Sequence, residues 1–195
     1  AGSPEFEDVS GMLRASVPSA TVTSCDRIQN LGLWQRYRHT FKVLARANGG
    51  VTAERLLWHG TSTTPPEVVF RGTTVGLDDR FTSLAPAYGR ALYFAEHAAY
   101  CVGGAEYDTG VDDPGTGRRV KQLLLARVAC GRHFDFGEAK ERHLVRPPED
   151  TSGRLFDSVR GGPHKRAGAP AATATHMVCV FDSSQAYPAY LVSYH

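Results

Sequence analysis

One segment of the chain places apolar residues three and four positions apart, as one face of an α-helix requires. These residues are Leu33, Trp34, Tyr37, Phe41 and Leu44. Asn30 precedes the segment and is a residue type that caps helices, while Gly49-Gly50 follows it and readily ends a helix. The pattern predicts an amphipathic helix between Asn30 and the paired glycines, with its arginines and lysine on a solvated face.

Short apolar or β-branched segments, separated by Gly, Pro and Asp, make up most of the remaining chain. They predict strands at Arg55–His59, Leu92–Ala95, Gln122–Ala129, Met177–Phe181 and Tyr190–Tyr194. Two short helices and three long loops are also predicted: helices at Pro65–Phe70 and Glu96–Cys101, loops at Gly72–Gly89, Gly103–Arg119 and Arg146–Pro170. Because strands and helices do not alternate regularly, we expect an α+β fold with largely antiparallel sheets rather than a doubly wound fold.

The N-terminal segment shows no comparable pattern. Residues 1–6, Ala1-Gly-Ser-Pro-Glu-Phe6, look like an expression-vector remnant, and we leave them out of the fold prediction. Residues 7–24 mix small, polar and apolar types without a period, so we expect them to be partly ordered at best. Residues 25–195 are predicted to form one domain.

The composition supports a single globular domain. The chain has 195 residues, of which 42% are hydrophobic and 22% charged, and its formal net charge is +2. Residues 1–100 carry 10 basic and 9 acidic side chains, and residues 101–195 carry 12 and 11. This balance disfavours nucleic-acid binding as the main purpose of the chain. The longest apolar runs are far shorter than the roughly 18 residues that a membrane span needs, so no membrane association is expected.

The four cysteines, Cys25, Cys101, Cys130 and Cys179, are widely separated and form no Cys-x-x-Cys pair. Because zinc ribbons and fingers need close ligand pairs, we predict no metal site. With no secretory signal, we expect free thiols in a reducing intracellular compartment, the cytoplasm or the nucleus. The sequence also lacks the Gly-x-Gly-x-x-Gly and Gly-x-x-x-x-Gly-Lys-Ser/Thr motifs, which excludes Rossmann and P-loop phosphate sites.

The first segment with candidate chemistry is Leu56-Leu-Trp-His-Gly-Thr-Ser62. A predicted strand ends at His59, and Gly60 and two hydroxyl residues follow at once. By itself this arrangement is more typical of a strand-end histidine that hydrogen-bonds the backbone. The functional alternative is that the glycine lets a planar ligand reach the backbone while the imidazole holds a sugar hydroxyl.

A second segment, Tyr88-Gly-Arg-Ala-Leu-Tyr-Phe-Ala95, places Tyr93 within a predicted strand. A tyrosine at such a position is usually part of the core. An 18-residue loop rich in Gly, Asp and Pro, Gly72–Gly89, separates this segment from the first one. A strand-end histidine and an in-strand tyrosine joined by such a loop suggest a lidded pocket.

Four blocks in order resemble the poly(ADP-ribose) polymerase family, whose catalytic domain is the diphtheria-toxin-like ADP-ribosyltransferase. The blocks are Asp26-Arg-Ile-Gln-Asn30 with Leu33-Trp-Gln-Arg-Tyr37, Leu57-Trp-His-Gly-Thr61, Tyr88-Gly-Arg-Ala-Leu-Tyr-Phe-Ala95 and Gln185-Ala-Tyr-Pro-Ala-Tyr-Leu-Val192. The resemblance covers roughly Cys25 to Tyr194 and is greatest to the mono-ADP-ribosylating members. It implies two packed, mainly antiparallel sheets flanked by short helices, and NAD⁺ as the substrate, bound without a Rossmann fingerprint.

The resemblance also implies roles for single residues. His59 corresponds to the family histidine that hydrogen-bonds a ribose hydroxyl, and Gly60 supplies the backbone pair to the nicotinamide carboxamide. Tyr93 lies beneath the nicotinamide ring, and Tyr107 is the best match for the tyrosine that stacks on its other face. Two electron-rich rings suit a cationic pyridinium, since cation–π attraction contributes about 0.5–2 kcal/mol.

Other members of the implied NAD⁺ site are Thr61 or Ser62, which would reach the adenosine ribose, together with Ala95 and Cys101. Cys101 stands where the family usually has a serine that donates to the nicotinamide carbonyl. A thiol is a weaker donor, so NAD⁺ affinity is expected to be reduced, although Cys101 is equally suited to be an ordinary buried residue. Tyr107 falls later in the chain than in the nearest relatives.

The third member of the implied catalytic set, after His59 and Tyr93, is Leu191. Polymerising members have a glutamate there, whereas Ser183–His195 contains no Asp or Glu. The resemblance therefore implies transfer of one ADP-ribose to a protein acceptor, which includes the enzyme itself, by a monomer without a metal. Two alternatives stay open: a catalytically weak or inactive domain that acts as a binding module, and a transferase that modifies nucleic-acid ends.

Overall fold

A computed structural model describes residues 2–72, 76–78 and 87–195 of the chain. The α-helices are α1 (Pro4–Arg14), α2 (Leu31–Ala47) and α3 (Glu67–Arg71), and 3₁₀ helices cover Ala98–Tyr100, Ala171–Thr173 and Ser183–Gln185. The strands are β1 (Val22–Arg27), β2 (Glu54–His59), β3 (Leu92–Ala95), β4 (Tyr107–Asp112), β5 (Arg119–Ala129), β6 (His133–Asp135), β7 (Ser158–His164), β8 (Thr175–Val180) and β9 (Ala186–Tyr194). The α+β prediction is confirmed.

The strands form one hydrogen-bonded path in the order β1-β9-β5-β2-β3-β8-β7-β6, and β4 also pairs with β5. All neighbours are antiparallel except β6 and β7. The path consists of two halves, because β2 and β3 pair at a single position, Trp58 opposite Ala95. Among the described residues, no further strand pairing joins the two halves, which correspond to the two sheets expected from the resemblance.

The predicted amphipathic helix is α2. Its cap is the one expected, since the Leu33 backbone N–H donates to the Asn30 side-chain oxygen at 3.0 Å. Leu33 and Tyr37 are buried against Ala129 on β5 and Ala189 on β9. The spacing of three and four residues in the sequence thus corresponds to the face that α2 buries.

The expectation that residues 7–24 are poorly ordered is wrong. Helix α1 begins within residues 1–6 and is capped by Ser3, whose hydroxyl accepts from Phe6 N–H at 3.2 Å. Val9 and Leu13 of α1 are buried, and β1 pairs along β9. The start signals of α1 lie in the residues that the vector interpretation set aside; that these residues come from a vector stays a prediction.

Two of the predicted loops contain strands. Strand β4 lies within Gly103–Arg119, and β7 lies within Arg146–Pro170. The sequence of β7 includes Gly161, Gly162 and Pro163, which propensity disfavours in strands, and its pairing with β6 and β8 holds it extended. The third loop, Gly72–Gly89, lies largely outside the described residues.

Two apolar clusters lie on opposite faces of the sheet. The α1 face carries Trp58, Leu123 and Leu125 with Leu13 of α1. The α3 face carries Leu57 and Leu124 with Val69 of α3, and Phe94 of β3 belongs to it. In the described part of the chain, no helix is both long and apolar enough to span a membrane.

Candidate active site

His59 lies where the two halves of the sheet separate. It is the last residue of β2, one position beyond the Trp58–Ala95 pair, and its Nδ1 lies 2.8 Å from the carbonyl oxygen of Tyr93 on β3. A carbonyl can only accept, so Nδ1 carries the proton and Nε2 is left as an acceptor in the neutral ring. The geometry is compatible with both interpretations of the sequence. The histidine hydrogen-bonds the backbone through Nδ1, and Nε2 can still accept a hydrogen bond from a ligand.

The surroundings of His59 favour this neutral form. Burial lowers the pKa of its imidazole, and the bond to the Tyr93 carbonyl opposes that effect only in part. The ring of Phe94 lies beside it, with centroids 5.4 Å apart. His59 is thus held as a hydrogen-bond acceptor rather than as a cation.

The hydroxyl of Tyr93 is fully used by the backbone of the preceding turn. It accepts from the Tyr88 N–H at 2.7 Å and donates to the Gly89 carbonyl at 2.8 Å. Burial raises the pKa of this phenol, which keeps the hydroxyl protonated. Tyr93 therefore fixes the end of the 72–89 segment, and the half-buried ring is the part available to a ligand.

Gly60 is packed against the segment that follows the 3₁₀ helix Ala98–Tyr100. A Cβ atom added at Gly60 would lie 2.2 Å from the carbonyl oxygen of Ala105, and that same oxygen accepts from the Ser62 N–H at 2.8 Å. Ser62 itself has a φ of 53°, which holds the chain in a tight turn. Only a glycine allows this close approach of the two segments.

Cys101 faces Gly60 across this contact. Cys101 is 4% exposed, and burial raises the pKa of its thiol to about 12, an effect that the Gly60 backbone hydrogen bond opposes. The buried Thr61 hydroxyl has no hydrogen-bond partner among the residues that the structure describes. The donors next to Gly60 therefore include one weak thiol and one free hydroxyl.

Tyr107 lies next to His59 although 48 positions separate them in the chain. His59 is opposite Leu124 of β5, and Tyr107, the first residue of β4, is opposite Gln122 of the same strand. Side chains two positions apart on a strand share a face, at a separation of roughly 7 Å. The register brings Tyr107 and His59 together on the α3 face.

Leu191 lies apart from Tyr93. Leu191, on β9, is opposite Leu124 of β5, and Leu124 is in turn opposite His59 of β2. Leu191 is therefore two strand spacings from His59, or roughly 10 Å. It is buried on the α3 face, whereas the Tyr93 ring packs on the α1 face. The structure thus places Leu191 on the face of His59 but does not bring it into contact with Tyr93.

The apolar residues next to Tyr93 come from β8 instead. Cys179 is directly opposite Tyr93, and Met177 is opposite Ala95, which is itself buried at the junction with Trp58. Met177 is 6% exposed and belongs to the cluster that Tyr93 joins. The sequence predicted a strand at Met177–Phe181, but no signal in it indicates that this strand pairs with β3.

Comparison with known proteins decides the family. The family model described as the poly(ADP-ribose) polymerase catalytic domain matches residues 3–195. The chain belongs to this family. The resemblance seen in the four sequence blocks is therefore confirmed, as is the fold that it implied.

Several curated relatives match this PARP catalytic domain over 98% of its length. Protein mono-ADP-ribosyltransferase PARP12 of Mus musculus is 30% identical over 196 residues, and PARP11 of Homo sapiens is 26% identical over 206 residues. PARP14 of Homo sapiens is 27% identical over 195 residues. The chain spans 24%, 56% and 10% of the lengths of these three proteins, respectively.

Proposed function

We propose that this PARP catalytic domain transfers a single ADP-ribose from NAD⁺ to a protein side chain and releases nicotinamide. The observation that carries the proposal is the junction at which β2 and β3 part, where His59, Gly60 and Tyr93 meet. An extended dinucleotide that enters this opening can contact side chains of both sheet faces. The names of the relatives, all mono-ADP-ribosyltransferases, support the same activity.

The nicotinamide end would lie beside the contact between Gly60 and Cys101. The Gly60 backbone would pair with the carboxamide, and the thiol would stand in for a stronger hydroxyl donor. Tyr93 and Tyr107 would offer ring faces to the cationic pyridinium, as the electron-rich faces of phenols favour cations. The Tyr93 hydroxyl bonds fix the position of its ring.

The sugars would bind at the free polar atoms of the same turn. Nε2 of His59 would accept from a ribose hydroxyl, which its neutral form permits. The unpartnered Thr61 hydroxyl, or that of Ser62, would bond the adenosine ribose. These contacts position the bond between C1 of the ribose and the nicotinamide nitrogen, and positioning of this kind accounts for much of enzymatic rate enhancement.

The apolar neighbours of Tyr93 favour a single transfer. Met177 and Cys179 share its face on β8, and neither offers a carboxylate to activate the hydroxyl of a growing chain. Glu96 is close in sequence, but it accepts from Arg55 at 2.7 Å and from Arg160 at 3.0 Å. We therefore assign the apolar third position to Met177 in preference to Leu191.

An acceptor carboxylate fits a site of this kind. It arrives already deprotonated, so no base is needed, and its charge would stabilise the positive charge that develops on the ribose. Peptides that lack acidic residues are then expected to be poor acceptors. We further propose that the domain acts as a monomer without a metal ion, in the cytoplasm or nucleus, where its four free thiols stay reduced.

Incubation with NAD⁺, followed by intact mass measurement and quantification of nicotinamide, tests the proposed function. We expect discrete single additions on the domain or an added protein, matched by nicotinamide release and absent from the His59→Ala variant. A ladder of long polymers would contradict single transfer. Absence of any product would favour a binding module, and modification of added oligonucleotides alone would favour a nucleic-acid transferase.

A further inference from the structure

Two charged residues lie at the junction between the halves of the sheet, on the side away from His59. Strands β2 and β3 are antiparallel and pair only at Trp58 and Ala95. His59 follows Trp58 along β2, whereas Arg55 precedes it, so the two residues lie on opposite sides of this pair. Glu96 follows Ala95 along the antiparallel chain and therefore lies on the side of Arg55, which we call the rear of the junction.

Arg55 and Glu96 form an ion pair across the rear of the junction. Nη1 of Arg55 donates to Oε1 of Glu96 at 2.7 Å, and the Glu96 side chain is only 14% exposed. Burial by itself would raise the pKa of this carboxyl group, but hydrogen bonds from Arg160 and Arg55 lower it, so the group is held as a carboxylate. The bond is therefore charge-assisted, and it joins the half of the sheet that ends at β2 to the half that begins at β3.

A second arginine binds the same carboxylate without crossing the junction. Nε of Arg160 on β7 donates to Oε1 of Glu96 at 3.0 Å, and Nη1 of Arg160 donates to Asp135 of β6 at 2.7 Å. Both strands belong to the half of the sheet that begins at β3. Nδ1 of His176 on β8 lies 3.7 Å from Oε2 of Glu96, and the His176 carbonyl accepts from the Glu96 N–H at 3.1 Å. Glu96 is thus fixed within its own half, and Arg55 reaches it from the other half.

The Trp58–Ala95 pair has a side-chain bond on each side of it. At the front, Nδ1 of His59 donates to the Tyr93 carbonyl at 2.8 Å, and at the rear lies the ion pair. A single paired position leaves two strands free to change their angle, because a continuous ladder of backbone hydrogen bonds is what normally fixes it. The two side-chain bonds therefore restrain this angle. Loss of the rear bond would let the strands rotate about the pair and would weaken the bond at the front.

We propose that Arg55 is a positioning residue: through its bond to Glu96 it fixes the angle between β2 and β3, and thereby the width of the cleft that receives NAD⁺. The part of the inference that concerns NAD⁺ rests on the proposed function and deepens it. His59 and Gly60 extend from β2 and Tyr93 lies on β3, so the dinucleotide contacts all three only when the strands keep their present angle. A protein that keeps this angle for only part of the time binds the ligand more weakly by the same fraction.

The test compares Arg55→Gln with Arg160→Gln. Each variant removes one arginine from the same carboxylate oxygen, but only the first removes a bond between the halves of the sheet. NMR measures the exchange of the His59 Nδ1 proton with water, and calorimetry measures the binding of a non-hydrolysable NAD⁺ analogue. In Arg55→Gln, the proton should exchange about tenfold faster and the analogue should bind about threefold more weakly, because loss of a charge-assisted bond favours opening of the cleft. Arg160→Gln should unfold at a lower urea concentration, yet its exchange and affinity should stay close to those of the parent.

Three further measurements separate positioning from a general loss of stability. In Arg55→Gln, KM for NAD⁺ should rise about threefold while kcat stays close to that of the parent, because bound NAD⁺ selects the same angle between the strands. Arg55→Lys keeps the charge but not the planar fork, so it should recover part of the affinity. In a Glu96→Gln background, Arg55→Gln should change neither the exchange rate nor the affinity further, since the carboxylate that Arg55 binds is already absent.

Equal exchange rates of the His59 proton in Arg55→Gln and in the parent would overturn the inference. Matching losses of affinity in Arg55→Gln and Arg160→Gln would also overturn it, since the ion pair would then act only through stability. Additive effects of Arg55→Gln and Glu96→Gln would show that Arg55 acts through another group, with the same consequence. If the parent itself does not bind the NAD⁺ analogue, the proposed function is contradicted instead, and the exchange rates still decide whether Arg55 fixes the angle between the strands.

Discussion

Nδ1 of His59 donates across 2.8 Å to the main-chain oxygen of Tyr93, and this bond spans the point at which β2 and β3 cease to pair. The bond joins the side chain of His59 to the backbone of Tyr93, the two residues on which the candidate site depends. The bond also fixes the tautomer of the imidazole, so the hydrogen-bonding role of Nε2 follows from the fold itself.

The neutral state of His59 predicts a particular pH dependence. Because burial lowers its pKa below the ordinary value of about 6.5, NAD⁺ affinity should stay constant from pH 8 to 6.5 and fall only at more acid pH. As the pH falls, His59 in the unfolded chain is protonated before His59 in the folded protein. The stability that depends on neutral His59 is therefore fully present above pH about 6.5 and is lost as the pH falls towards the pKa of the folded protein. A titration of the His59 ring by NMR, assigned with His59→Gln, checks this. A midpoint at or above 6.5 would contradict it.

Tyr93→Phe should weaken the fold as well as the site. The variant removes the hydroxyl that serves the Tyr88 N–H and the Gly89 carbonyl, which should cost about 1–2 kcal/mol in the free energy of unfolding. Tyr107→Phe is the matched control, since no described residue hydrogen-bonds the Tyr107 hydroxyl, and its stability should equal that of the parent. Urea unfolding measures both variants. Equal stability of Tyr93→Phe and Tyr107→Phe would be inconsistent with the assigned bonds.

The elements that the sequence predicted best are those whose own residues determine them. Helix α2 shows its cap and buried face in Asn30, Leu33 and Tyr37, and β3 was predicted with its observed bounds, Leu92–Ala95. Strand β7, with its glycines and proline, is extended because β6 and β8 pair with it, which no local pattern reveals. Helix α1 has ordinary start signals in Ser3 and Pro4, which lie within the residues interpreted as a vector remnant.

In the candidate site, too, some residues are indicated by the local sequence and others depend on contacts between distant segments. His59, Gly60 and Tyr93 could be found from short motifs because each motif also determines the local backbone. The neighbours of Tyr93 could not, because they depend on which strand pairs with β3: Leu191 lies on β9, whereas the residues opposite Tyr93 and Ala95 are Cys179 and Met177 of β8.

Gly60→Ala should disrupt the site directly. The added methyl group would lie 2.2 Å from the Ala105 carbonyl oxygen, which also accepts from Ser62, so the two segments must separate. We expect a loss of about 1–3 kcal/mol in stability and of NAD⁺ binding. Gly11→Ala in α1 is the control, because a Cβ atom added there would have no described atom outside the helix backbone within 4 Å. This variant should stabilise the fold by about 0.5–1 kcal/mol. Unaltered NAD⁺ affinity in Gly60→Ala would refute the close approach.

Cys101→Ser should strengthen nicotinamide binding. The serine hydroxyl is a better donor than the thiol, and one good hydrogen bond contributes about 0.5–1.5 kcal/mol, or roughly two- to tenfold in affinity. Cys25→Ser, at a half-buried thiol on β1, is the matched control and should leave affinity unchanged. Calorimetric titration with nicotinamide compares the two. Equal affinities in parent and Cys101→Ser would mean that the side chain at 101 does not meet the carboxamide.

The most direct test of the site is a crystal structure of the domain with a non-hydrolysable NAD⁺ analogue. We expect the carboxamide to pair with the backbone of Gly60 beside the Cys101 thiol, with the nicotinamide ring against Tyr93 and a ribose hydroxyl on Nε2 of His59. An analogue bound elsewhere, or a cleft between β2 and β3 that stays empty at millimolar analogue, would contradict the account.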